Sequence, residues 1–220
     1  MKLLMENWRE FLSEKLMLKP GPDGWDLYSE LVAEAYLAAP TFEERAVPAF
    51  EALIPFVEKM YKQIGSRVQV EPVDYHPYDI GLDVDVTGAD RMRKAVEDTG
   101  ILQVSTADSE HPVFDSETNM KFRAVHDYMT HIQPKKPAGF TSSKEKGSIH
   151  QELRAYNIHA KTVPRDGIPA LFTEVVGQVC TFYITGKFAE QKVCLLDGFD
   201  YINVGVVDGY DIVNKELVKK

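Results

Sequence analysis

The chain has 220 residues, 44% of them hydrophobic and 27% charged, a composition that argues for a folded globular protein and against disorder. Its formal charge of −9 repels phosphate backbones, so generic DNA or RNA binding is excluded as the expected role. The N-terminal stretch MKLLMENWREFLSEKL is broken by charges and lacks a signal-peptide pattern, and no uninterrupted apolar run approaches the ~18 residues of a membrane span. The expectation is a cytosolic protein with no membrane role.

In chain order, Trp8, Phe11, Leu12 and Leu16 fall on a helical period over residues 5 to 17, and the Pro and Gly of LKPGPDG stop that helix. A second helix is expected from Trp25 to Ala39. A third starts at Thr41-Phe42-Glu43-Glu44 and runs to about Ile64, with Pro48 and Pro55 kinking or dividing it. Gly65 ends that run. In Arg67 to Val73 the apolar Val68 and Val70 alternate with polar neighbours, which predicts a short strand. Tyr75 to Asp85 reads as a loop, Thr87 as the cap of a helix through Asp98, and Ile101 to Ser105 as a second short strand.

Helical signals return from Asp115, with helices expected at about Ser116 to Ile132, Lys144 to Lys161 and Ile168 to Ile184. Gly186 closes the last of these, and a further helix is expected from Phe188 to Leu196. QPKKPAGFTSS, residues 133 to 143, reads as a flexible loop. The fold class is therefore mainly α with a small β element (α+β), its multi-helix core C-terminal. A single domain over 1–220 divides into a helical N-terminal extension (1–65), a small β/α segment (66–110) and a helical core carrying the site (111–198).

Cys180 and Cys194 are the only cysteines, which excludes a disulfide framework and a C-x-x-C zinc motif and fits a reducing compartment. The sequence contains no G-x-S-x-G elbow, phosphate loop or G-x-G-x-x-G fingerprint. Four of the six histidines, His126, His131, His150 and His159, instead fall close together with Asp127, Glu152 and Glu174. Imidazole and carboxylate together suit zinc, iron or manganese.

Placement on helices sorts these residues. The helix carrying Glu174 is apolar almost all round and so should be buried, with Glu174, Gln178 and Thr181 in a narrow polar stripe. A buried carboxylate needs a partner or a cation. Glu152 and His159 share the edge of their helix. On the preceding helix His126 borders the apolar stripe while Asp127 and His131 point nearly opposite. His150 is expected toward solvent, and His76 and His111, each before a proline, are expected to be loop or helix-entry residues.

FRAVHDYMTH (122 to 131), ELRAYNIH (152 to 159) and PALFTEVVGQ (169 to 178) resemble the pattern of a family of uncharacterised tailed-bacteriophage proteins. The resemblance covers about residues 110 to 198, and it departs from the family pattern at Met129-Thr130 and Leu153. It implies a phage protein working in the host cytoplasm or associated with the virion, and it carries over His126, Asp127, His131, Glu152, His159, Glu174 and Gln178. It brings no activity with it. The reading from residues is a divalent ion, zinc, iron or manganese, held between three helices by some of His126, His131, Glu152, His159 and Glu174. Asp127 and Glu174 are then the catalytic carboxylates of a metal-dependent hydrolase acting on a small molecule. The alternative is a non-enzymatic structural or host-interaction protein, its polar stripe a buried hydrogen-bond network and its partner a host or virion protein.

Overall fold

The structure, a computed structural model, describes residues 16–17, 22–78, 88–107, 109–139, 149–187, 189–207, 210–213 and 216–219. Six helices carry the fold: α1 (Pro22–Ala38), α2 (Val47–Ile64), α3 (Gly88–Thr99), α4 (Ser116–Asp127, continued by a π-helical turn Tyr128–Ile132), α5 (His150–Ala160) and α6. Helix α6 is one rod built from Ile168–Leu171, a π-helical stretch Phe172–Gly177 and Gln178–Thr185. The protein is mainly α with a small β element.

Of the strands, β2 (Gln69–Val73) and β3 (Ile101–Ser105) pair in parallel, Gln69 opposite Ile101 and Val73 opposite Ser105, with α3 crossing between them. Leu102 and Val104 point alternately into the core, as the period of a half-buried strand requires. Two minor pairs are β1 (Leu16–Met17) antiparallel to β4 (Val206–Val207), and the hairpin of β5 (Tyr210–Val213) with β6 (Glu216–Lys219). Leu16 and Met17 are thus strand where a helix end was expected; the rest of that expected helix lies outside the described residues.

Helix α6 is the axis of the core. Phe172 and Val176 are fully buried, and α1, α2 and α5 pack around them. Among the described residues, Arg165–Thr185 is long and apolar enough to cross a membrane by length and composition, but 67% of its apolar window is buried inside the protein, as in a core helix. Helices α1 and α2 supply Tyr28, Tyr36, Phe50, Leu53 and Val57 to the same continuous core. The segment 1–65 is therefore part of the core wherever it is described, because α6 has no other cover on those sides.

Two local expectations are corrected. Neither proline divides α2: Pro48 sits in its first turn, where a missing N–H costs nothing, and Pro55 lies on the exposed face of an unbroken helix. No helix occupies 189–196. There the chain is extended, Val193 N–H donating to Thr41 O at 2.9 Å and Glu43 N–H to Val193 O at 2.7 Å. Gly186, at φ 72°, ends α6 in the left-handed region and re-aims the chain, so this short apolar run satisfies its backbone against residues 41–43.

The closest approach in the core is between α6 and α1. A Cβ on Gly177 would lie 2.5 Å from Cδ2 of Tyr36, whose ring is fully buried and whose hydroxyl donates to Glu190 O at 3.0 Å. Gly177→Ala is expected to destabilise the protein by about 1–3 kcal/mol, the usual cost of overpacking. Urea unfolding measures it, and an unchanged midpoint would show that α1 and α6 do not meet so tightly.

Candidate metal centre

His126 and His131 are five residues apart on α4. At ~100° per residue an α-helix would separate them by about 140° and turn His131 away from the core. The π turn removes that separation. Gln133 N–H donates to Tyr128 O at 2.8 Å, a five-residue step, and Thr130 Oγ1 donates to His126 O at 2.8 Å at the entry to the widened turn. The two imidazoles now share one face, their ring centroids 5.3 Å apart. The expectation that His131 points opposite His126 is corrected by this turn.

Glu152, in the first turn of α5, faces both rings. Its Oε2 lies 3.8 Å from His126 Nε2 and 3.8 Å from His131 Nε2. One potential ligand atom from each of the three side chains falls within 4.8 Å of the others, so this group can hold a metal ion. Two ligands bound at ~2.1 Å to one tetrahedral ion stand about 3.4 Å apart, so each Glu152–histidine separation of 3.8 Å is a few tenths of an ångström too long, and the two rings lie within the 4.8 Å that bounds the group.

Each histidine is oriented from behind. His131 Nδ1 lies 3.1 Å from Ala138 O and donates its proton there, which leaves Nε2 as a lone pair facing Glu152. Arg93 Nη1 donates to both His131 O (3.0 Å) and Ala138 O (3.3 Å), tying the chain after α4 to the helix. His126 Nδ1 lies 3.2 Å from His159 Nδ1. For His126 to offer Nε2 to an ion, its Nδ1 proton must be donated to His159. His159 is wholly buried, and its Nε2, between the rings of Phe56 and Phe122, has no hydrogen-bond partner.

Burial keeps the His131 and His159 rings neutral. It pushes the His131 imidazole down to about 4, against the attraction of Glu152, and holds His159 well below the ordinary histidine range, with His126 adding to the effect. A neutral ring with a free Nε2 is the form that binds a metal. Desolvation likewise raises the Asp127 carboxyl to about 6, opposed by His126, reinforced by Glu152 and opposed again by Arg123.

The group opens into a cavity of about 290 Å³, at the small end for a ligand pocket, whose walls include Asp127, Phe122, Arg123, Gln178 and Phe182. Glu174, at the π stretch of α6, also lines it. Glu174 Oε1 is 3.2 Å from His111 Nε2, and Oε2 accepts from Gln178 Nε2 at 2.9 Å. His111 Nδ1 accepts the backbone N–H groups of Val113 (3.1 Å) and Phe114 (2.9 Å), so its proton is on Nε2 and is donated to Glu174. Deeper in, Asn119 Nδ2 donates to Gln191 Oε1 and to Ser109 O, each at 2.9 Å.

Two of the five expected ligands fall outside the metal-binding group. His159 spends its Nδ1 on His126, and Glu174 is held by His111 and Gln178. The centre is therefore built from α4 and α5 rather than from three helices. Thr181 leaves the expected polar stripe and donates to Gly177 O at 2.8 Å, while Phe182 faces the cavity. His150 is exposed, as expected, and His76 is an exposed loop residue at the cavity mouth. His111 is the residue that sequence reasoning missed: its side chain is 0% exposed. The signal was indirect, since a carboxylate on a buried helix requires a buried donor.

His131 also predicts acid sensitivity. Its folded value near 4 lies below the ~6.5 of an unfolded chain, so the unfolded state binds a proton that the folded state refuses. The stability contribution is complete above pH ~6.5 and is lost as pH falls toward 4, a change of about 3 kcal/mol. Urea unfolding of chelator-washed protein at pH 7.5 and 4.5 should show this loss together with that of buried His159, and His131→Gln should reduce the total by about 3 kcal/mol. An equal pH dependence in the variant would count against a buried neutral ring at this position.

No protein family, curated protein or solved structure matches the chain, so the functional reading rests on this geometry.

Proposed function

We propose that the chain is a metal-dependent hydrolase of a small-molecule substrate, its divalent ion held by His126 Nε2, His131 Nε2 and Glu152. The observation that carries the reading is the pair of 3.8 Å separations from Glu152 Oε2 to two imidazole nitrogens, on the wall of a cavity. Three protein ligands with a fourth side open to a pocket is the arrangement of catalytic rather than structural sites. Two imidazoles and a carboxylate suit zinc, iron or manganese. The phage origin in this proposal comes from the resemblance of residues 122–131, 152–159 and 169–178 to a tailed-phage pattern and not from the site geometry.

An ion held by His126, His131 and Glu152 would supply an activated water and Lewis-acid polarisation of a carbonyl or phosphoryl oxygen. Asp127, next to His126 in sequence and also on the cavity wall, accepts the water's proton and returns it to the leaving group. His159 acts through His126: its Nδ1 sets the tautomer and ring angle of that ligand. Arg93 fixes His131 in the same indirect way through the Ala138 carbonyl.

Inductively coupled plasma mass spectrometry of tag-free protein tests the reading. Chelator-washed protein reconstituted with zinc, iron(II) or manganese should retain about one ion per chain, and His131→Ala and Glu152→Ala should lose it. His159→Ala should keep the ion at saturation with affinity reduced about 10- to 100-fold. No retained ion under any reconstitution would overturn the proposal and leave the buried histidines and carboxylates as a network that fixes helix register. Retention of iron alone, with oxygen consumed on adding substrate, would replace hydrolysis by oxygen chemistry at the same donor set.

A further inference from the structure

Glu174 is a carboxylate 3% exposed, yet it has no cationic partner among the described residues. The His111 Nε2–H and the Gln178 amide each donate one hydrogen bond to it. His111 has both ring nitrogens committed, Nδ1 to two backbone N–H groups and Nε2 to the carboxylate, so this pair carries net negative charge. The same commitment leaves no imidazole lone pair for a second metal ion. A carboxylate accepts at about four lone-pair positions, of which His111 and Gln178 fill two, and Glu174 is among the residues that line the cavity.

Charge in the cavity is unbalanced in the same sense. Among the described residues, Asp127, Glu152 and Glu174 line it against one guanidinium, that of Arg123, whose Nη1 donates to Ser105 O (2.9 Å) and Ala107 O (2.8 Å) at the end of β3. An ion on His126, His131 and Glu152 offsets Glu152 and Asp127 but is not held by Glu174. Phe122, Val175, Val179 and Phe182 supply apolar wall beside the carboxylate. A buried charge with free acceptor capacity, next to apolar surface, is suited to a cation that brings its own hydrogen-bond donors.

We propose that Glu174, held by His111 and Gln178, is the subsite for a cationic nitrogen, an ammonium, amidine or guanidinium, of a small organic substrate bound beside the metal centre. The inference rests on the proposed metal site only for what lies next to the bound group. The recognition itself comes from the fixed carboxylate. His111 and Gln178 are positioning residues, since each holds one of its two oxygens.

The test is isothermal titration of the full chain, chelator-washed and zinc-loaded in parallel, with benzamidine and n-butylammonium against the neutral benzamide and the anionic benzoate. The cations should bind at least about tenfold more tightly than benzamide, with benzoate weakest. Glu174→Gln keeps the side-chain shape and, with the Gln178 amide turned over, both hydrogen bonds. It should abolish the preference while leaving zinc stoichiometry and melting temperature unchanged. Equal binding of cations and benzamide by the wild-type protein, or a preference that survives in Glu174→Gln, would overturn the subsite. The outcome is separable from that of the metal: a preference lost in Glu174→Gln by protein that retains no ion would leave the subsite standing and the hydrolase reading fallen.

Discussion

A helix sheathed on every side cannot leave a polar side chain to water, and α6 is such a helix. Its threonines donate to carbonyls of their own helix, Thr173 to Pro169 O at 3.3 Å and Thr181 to Gly177 O at 2.8 Å, and Thr173 also to Cys194 O at 2.8 Å. Glu174 receives one such local hydrogen bond, from Gln178, but an ionised carboxylate in the interior costs several kcal/mol unless both oxygens are met. The second donor comes from another part of the chain, His111. The loop before α4 is thereby tied to the core, with Asp115 capping the helix through Thr118 N–H at 2.7 Å. Where α4 begins, and so where its histidines fall, follows from satisfying α6.

The second constraint is the π turn at Tyr128–Ile132. A π turn has poorer hydrogen-bond geometry than an α turn and persists where packing holds it. Here Tyr128, Met129, Thr130 and His131 are all buried, against α3 and α5. The extra residue in the turn converts a five-residue spacing into a shared face, which is what brings His131 beside His126. Glu174 lies on the other π-helical stretch, in α6, and lines the same cavity. Both departures from regular helix therefore border a pocket in which titratable groups converge.

The polar interior has an energetic cost that packing alone does not explain. His159 keeps a buried Nε2 without a hydrogen-bond partner, a cost of about 1–3 kcal/mol, where Leu or Met would pack without penalty. What the imidazole supplies is a hydrogen-bond partner for His126 Nδ1; when that nitrogen donates, a lone pair is left on the Nε2 that faces Glu152. A metal-binding reading gives that cost a purpose, since ligand orientation depends on such contacts.

Much of the fold was legible in the sequence, because helical and strand periods are local properties. Trp25 to Ala39 and Ser116 to Ile132 matched α1 and α4 within a few residues, and β3 matched Ile101 to Ser105 throughout. The buried character of α6 and the need of Glu174 for a partner were legible too, from an apolar circumference interrupted by one acid. The segment 189–196 was not, because a short apolar run suits a buried extended strand as well as a helix, and its pairing with residues 41–43 is non-local. Nor was the shared face of His126 and His131: helical phase read at a constant angle per residue cannot register an inserted π residue, which only packing against α3 and α5 selects. The sequence by itself determined which residues would be polar inside an apolar core. Tertiary structure alone decided their pairing, placing Glu152 with two histidines of another helix and Glu174 with His111, because those contacts join residues up to 63 positions apart.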